Sequence, residues 1–139
     1  MTTKIKRVLL IDDADIDQRL YRRMLERSEM VDEVQSFYYA DEALDYLRAN
    51  RAVEVDVIFL DINMPRMNGF EFLEAAIDEF GDAFARVVIV MLTTSLHPAD
   101  RVRAEEFSVV RDFINKPLTV DHVRHAAELL RSIRSGDSA

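Results

Sequence analysis

Three short stretches are apolar at nearly every position: Val8 to Ile11, Asp56 to Leu60 and Arg86 to Leu92. A strand with one solvated face alternates apolar and polar residues, so unbroken runs of this kind need cover on both faces. Between them the period changes to that of a helix. After the first run, Ile16, Leu20, Tyr21, Met24 and Leu25 recur at helical spacing, and Asp41 to Arg51 turns Ala43, Leu44 and Leu47 inward. A turn with Pro65, Asn68 and Gly69 leads into a helix from Phe70 to Phe80, stopped by Gly81. Pro98 suits the first turn of a fourth helix. Thr119 to Arg134 forms a fifth, lined by Val120, Val123, Ala127, Leu130 and Ile133. Weaker strands are expected at Glu33 to Tyr38 and Val110 to Asn115. The pattern is (βα)5, and it predicts an α/β fold: a doubly wound, five-stranded parallel sheet with helices on both faces.

At 139 residues there is room for one ordinary domain, expected over residues 4–134, with a disordered tail over residues 135–139. Twenty-six acidic against eighteen basic side chains give a net charge of −8, a field that repels phosphate backbones and disfavours nucleic-acid binding. The absence of cysteine removes disulfides, thiolate zinc sites and cysteine nucleophiles. No stretch approaches the ~20 apolar residues of a membrane span, and the N-terminus lacks a signal-peptide pattern, so the expected location is cytoplasmic.

Polar residues collect where the strands end. Asp12 and Asp13 follow the first strand, Asp61 the third, Thr93-Thr94-Ser95 the fourth and Lys116-Pro117 the fifth. In a parallel sheet these ends share one rim, the rim at which open α/β sheets bind ligands. Clustered carboxylates suit Mg2+, and an ammonium with a hydroxyl opposite suits a phosphoryl group in transfer. Three like charges on one rim also repel, so the pocket is expected to cost stability that Mg2+ restores. Asp15 reads as the N-cap of the first helix. His97, His122 and His125 have no ligand-like spacing, and the last two read as a solvated helix face.

The blocks Val8-Leu-Leu-Ile-Asp-Asp13, Leu60-Asp-Ile-Asn-Met-Pro-Arg-Met-Asn-Gly69, Met91-Leu-Thr-Thr-Ser95 and Phe113-Ile-Asn-Lys-Pro117 resemble the signature blocks of response-regulator receiver domains. The resemblance covers nearly the whole chain, in order. It implies the strand order 2-1-3-4-5, and it implies Asp61 as phosphoacceptor for a histidine kinase. Mg2+ would be held by Asp12, Asp13, Asp61 and the backbone carbonyl of Asn63. Thr93, Thr94 and Lys116 would contact the phosphoryl group, and Phe113 would turn inward on phosphorylation. Asn63 and Ser95 would tune hydrolysis of the phosphoryl group, while Pro65, Gly69 and Pro117 shape the turns. The chain departs from the family at Phe107-Ser-Val-Val110, where a Gly-Ala-like pair is usual.

The resemblance implies a stand-alone response regulator that catalyses only its own phosphorylation and dephosphorylation and is not otherwise an enzyme. Its implied partners are a histidine kinase, with a lean toward the phytochrome-like group, or a phosphotransfer protein. Ala14, Gln18, Tyr21, Arg22 and Leu118 are the candidate contacts. Pairing of two copies through the fourth helix, fifth strand and fifth helix is a further implication. A haloacid-dehalogenase-type phosphohydrolase would need an Asp where Asn63 stands. A flavodoxin-like electron carrier would need a glycine- and hydroxyl-rich loop where Asp12-Asp-Ala-Asp15 stands.

Overall fold

The computed structural model describes residues 4–49, 55–95 and 97–135. Its elements are β1 (Ile5–Ile11), α1 (Asp15–Arg27), β2 (Val31–Phe37), α2 (Ala40–Ala49), β3 (Val57–Asp61), α3 (Gly69–Phe80), a short 3-10 helix (Gly81–Arg86), β4 (Val88–Thr93), α4 (Pro98–Glu105), β5 (Val110–Asn115) and α5 (Val120–Arg134). All strand pairs are parallel, in the order β2-β1-β3-β4-β5. This is the doubly wound sheet the apolar runs call for.

Alternation along the three central strands divides the core in two. Leu9, Ile11, Ile58, Leu60, Ile89 and Met91 pack with Leu44, Phe72, Leu73 and Ala104 beneath α2, α3 and α4. Val8, Leu10, Val57, Phe59, Val88 and Val90 pack on the other face with Tyr21, Leu25, Val123 and Leu130 of α1 and α5. With β1, β3 and β4 buried on both faces, their C-terminal ends are held rigidly, and those ends carry the polar rim.

Local chemistry sets the helix ends. Asn68 and Glu71 form a capping box at α3, and Thr119 and His122 form one at α5. His97 caps α4 just before Pro98, its Nδ1 accepting the Ala99 N–H at 3.2 Å. Two of the three histidines therefore take part in helix capping, His97 as an N-cap and His122 as the third residue of a capping box. Gly81, with φ +54°, closes α3 in the left-handed region where other residues are strained.

Several sequence expectations are corrected. Asp15 is not the N-cap of α1: Ala14 holds that position without a side-chain bond, and Asp15 is the first helical residue. One donor of this helix start is satisfied from outside the helix, because Asp12 Oδ1 takes the Ala14 N–H at 2.9 Å. Asp15 instead accepts the Tyr38 hydroxyl at 2.7 Å and pairs with Arg19. Ile16 and Leu20, expected inward, are 70% and 58% exposed, and the buried stripe of α1 is Gln18, Tyr21 and Leu25. A polar side chain takes the inward position because it bonds three backbone carbonyls there. Val120 of α5 is likewise exposed.

Strand β2 begins at Val31, which pairs with Ile5, and β4 begins at Val88 and runs on to Thr93. The segment after Gly81 is the 3-10 helix, anchored by buried Phe84 against Phe72. Ser135 ends α5 as its C-cap; the rest of the expected tail and the expected end of the second helix lie outside the described residues. Buried Asp56, read in the sequence only as a strand start, accepts the Lys6 N–H at 2.7 Å and pairs with Arg134 at 3.1 Å. It ties α5 to the sheet at the end opposite the rim. Among the described residues, no helix is long and apolar enough to cross a membrane.

Candidate functional site

The rim gathers one polar group from the end of each of four strands. Asp12 leaves β1 fully buried, Asp61 ends β3 at 7% exposure, and Thr93 ends β4 with none. Lys116 follows β5, its backbone N–H bonded to the Thr93 carbonyl at 2.9 Å. Carboxylate oxygens of Asp12, Asp13 and Asp61 lie within 4.8 Å of one another, with Asp13 the exposed member. Lys116 Nζ donates to Asp12 Oδ2 at 2.8 Å and to Asp17 Oδ2 at 2.7 Å, and Asp61 Oδ1 is 3.6 Å away.

Burial decides the electrostatics. Desolvation, and next the charge of Asp12, push the Asp61 carboxyl up to about 7; Lys116 opposes them and does not prevail. Burial raises Asp12 as well, against hydrogen bonds from Lys116 and Ala14. For Lys116, burial disfavours the ammonium, yet its bonds to Asp12 and Asp17 outweigh that and hold it above the ordinary lysine value. The site is a buried carboxylate short of positive charge, next to a lysine that stays charged.

The other expected residues divide. Thr93 Oγ1 accepts the Ser95 N–H at 2.9 Å, which leaves its hydroxyl proton free to donate. Ser95 is half-buried at the same mouth, and the Asn115 amide holds its carbonyl at 3.1 Å. Thr94 and Asn63 are exposed. Phe113 is half-buried on β5 with the Arg101 guanidinium 4.8 Å from its ring centre. Phe107, part of the departure before β5, stacks on Phe70 at 6.0 Å and so fills the gap between α3 and that turn. Pro65 is exposed in the β3–α3 turn, and the peptide bond before Pro117 is cis.

Gly69 has a steric role. A Cβ there would lie 2.7 Å from the Asp61 carbonyl oxygen and 3.1 Å from Ile62 Cα. Both neighbours are backbone at the C-terminal end of β3, so they yield only by moving Asp61. Gly69→Ala is expected to lower the melting temperature by several degrees; unchanged melting would remove the steric argument.

Two residues of α1 have roles at the rim that the sequence reading did not give them. Asp17 is a direct partner of Lys116. Gln18 Nε2 lies 3.1, 3.0 and 2.9 Å from the carbonyl oxygens of Leu10, Asp12 and Phe37, closing the ends of β1 and β2 beneath the rim. The available signal was the spacing Gln18, Tyr21, Leu25, which puts a polar residue on the same stripe as two apolar ones. The suggested contact set is corrected too: Gln18, Tyr21 and Leu118 are buried and unavailable to a partner, while Ala14 and Arg22 are half-buried.

The sequence matches the family described as response regulator receiver domain over residues 8–128. The chain belongs to that family. A two-component response regulator from Cytophaga hutchinsonii superposes with a TM-score of 0.86 at 31% identity, over 91% of this chain and 97% of that one. The bacteriophytochrome response regulator AtBRR gives 0.74 at 30% identity, over 91% and 93%. A chemotaxis protein CheY homolog of Campylobacter jejuni is 29% identical over 133 residues, 96% of this chain and 98% of the relative. Longer curated relatives also match; the chain spans 36% of the length of a protein-glutamate methylesterase/protein-glutamine glutaminase from Burkholderia thailandensis.

Receiver domains serve two-component signalling, partner with histidine kinases or phosphotransfer proteins, and bind Mg2+ at an acidic pocket. The family is generally a signalling domain and not an enzyme, and nothing in the comparisons supports a phosphohydrolase.

Proposed function

We propose that Asp61 accepts a phosphoryl group from a phosphohistidine of a kinase or phosphotransfer protein, as the receiver of a cytoplasmic response regulator with no other catalytic activity. The observation that carries this reading is the placement of buried Asp61 between an acidic pair and a lysine ammonium on one rigid rim. The Asp61 carboxylate attacks phosphorus, an O–P bond forms, and the N–P bond to the imidazole breaks. Lys116 and Thr93 hold the transferred oxygens where negative charge gathers. The residues fit a hard divalent ion, since three carboxylates converge; the Asn63 carbonyl is the proposed further oxygen donor. Bound there, Mg2+ would supply neutralisation of the negative charge that gathers during the transfer.

Neither Asn63 nor Ser95 carries a charge, so neither offers a strong base to an attacking water, and hydrolysis of intermediate speed is expected. Thr93, drawn to the phosphoryl group, would free the space that Phe113 enters, and Arg101 over that ring would follow. The docking face for the partner is the exposed side of α1, where Ile16 and Leu20 stand among Arg19 and Arg23. The neighbouring bacteriophytochrome regulator supports a phytochrome-like kinase as donor. The α4-β5-α5 face is the proposed surface for output or self-pairing.

A phosphotransfer profile against purified kinases of the same genome tests the reading: one kinase is expected to label the chain within seconds to minutes, and labelling by none would overturn it. Mg2+ at ten times its Kd is expected to stabilise the protein by about 1.4 kcal/mol. That is a melting shift of a few degrees, which Asp13→Asn should largely abolish. A full shift retained by that variant would place the ion elsewhere.

A further inference from the structure

Among the described residues, Asp17 is the one carboxylate bonded to Lys116 that stands outside the group of converging Asp12, Asp13 and Asp61. It comes from the first turn of α1, and its side chain is about one-quarter exposed against 8% for Lys116. A lysine ammonium sits on a flexible four-carbon stem and has three N–H bonds to give. Here two are committed, at 2.8 Å to Asp12 and 2.7 Å to Asp17, and the third side of the ammonium is turned to Asp61 Oδ1 at 3.6 Å.

Helix α1 holds the same loop at a second point. Tyr21, four residues on and on the same face, is buried in the core cluster that also holds Leu118. The Asp17–Lys116 bond and the packing of Tyr21 with Leu118 thus hold the loop on either side of Pro117. We propose that Asp17 is a positioning residue for phosphoryl transfer: it fixes the Lys116 ammonium so that its remaining N–H faces the phosphoryl group on Asp61. It acts through Lys116 and touches neither the metal nor the phosphoryl group. An oxygen acceptor is what the geometry requires of it, so asparagine should serve where alanine does not. This inference rests on Asp61 being the phosphoacceptor.

The test uses the full chain, phosphoramidate and Mg2+, comparing the parent with Asp17→Asn and Asp17→Ala, each also in a Lys116→Ala background. Misplacing a catalytic group by about 1 Å can cost up to ~100-fold. Asp17→Ala is expected to label about tenfold more slowly at saturating phosphoramidate, with Asp17→Asn within about threefold of the parent. The Mg2+ concentration for half-maximal labelling should stay within about twofold, since a residue acting through Lys116 leaves the ion's ligands in place. In the Lys116→Ala background, Asp17→Ala should cost nothing further, the signature of two residues acting as one unit.

Three results would overturn the inference: an alanine variant as fast as the parent, an asparagine variant as slow as alanine, or the same loss with and without Lys116. A parent that takes no phosphoryl group would overturn the phosphoacceptor reading, and this inference with it. A parent that labels at Asp61 beside an equally fast Asp17→Ala protein would overturn the inference alone.

Discussion

In metal-free buffer at pH 8, Asp61→Asn is expected to melt several degrees above the parent. The folded protein holds the Asp61 proton until about pH 7, whereas an unfolded chain loses it near 3.8. Because the folded value is the higher one, the group's contribution to stability is whole below about pH 4 and is lost as the pH rises through 7. At pH 8 the buried carboxylate is charged, at a cost of order a few kcal/mol. Asparagine keeps the size and cannot ionise. The gap between variant and parent should therefore open between pH 4 and 7 and stay constant above. Melting curves from pH 4.5 to 8.5 in chelator measure it. Parallel profiles for the two proteins would show that Asp61 is not held in a desolvated, proton-retaining site.

Gln18→Glu is expected to destabilise the protein by at least about 3 kcal/mol at pH 7, a melting loss near 10 °C. The glutamine amide gives its hydrogens to the Leu10, Asp12 and Phe37 carbonyls, and the side chain is only 3% exposed. A carboxylate would set negative charge against three carbonyl oxygens with no water to screen it. Gln18→Leu removes the bonds without adding charge and should cost less. Urea unfolding of both variants decides the order; equal losses would mean that packing alone fixes this position.

The legibility of the fold followed burial. The runs around Leu9, Phe59 and Val90 are apolar on both faces because helices cover both, and that pattern needs no tertiary knowledge to read. The strand-end residues Asp12, Asp61, Thr93 and Lys116 were legible for the same reason, since a parallel sheet delivers its strand ends to one rim. Helix α1 was legible as a helix, with Tyr21 and Leu25 inward, but its full buried stripe was not. Its apolar residues Ile16 and Leu20 suggested an inward stripe, yet the burial of Gln18 rests on backbone carbonyls that no periodicity displays.

The partnership of Asp17 with Lys116 joins residues 99 apart in the chain, and a first-turn aspartate has an adequate local role at a helix N-terminus. The acidic pocket was read as three like charges repelling on one rim. Burial instead loads the cost on Asp61 and Asp12 and leaves Asp13 open to solvent.

The central claim is that Asp61 is the nucleophile that receives the phosphoryl group. The direct measurement is labelling of the full chain with phosphoramidate and Mg2+, followed by borohydride reduction of the acyl phosphate and mass spectrometry of the peptides. The account predicts reduction at Asp61 in the parent, one phosphoryl group per chain, and no labelling of the folded Asp61→Asn protein. A modified residue other than Asp61 in the parent, or stoichiometric labelling of Asp61→Asn, would contradict it.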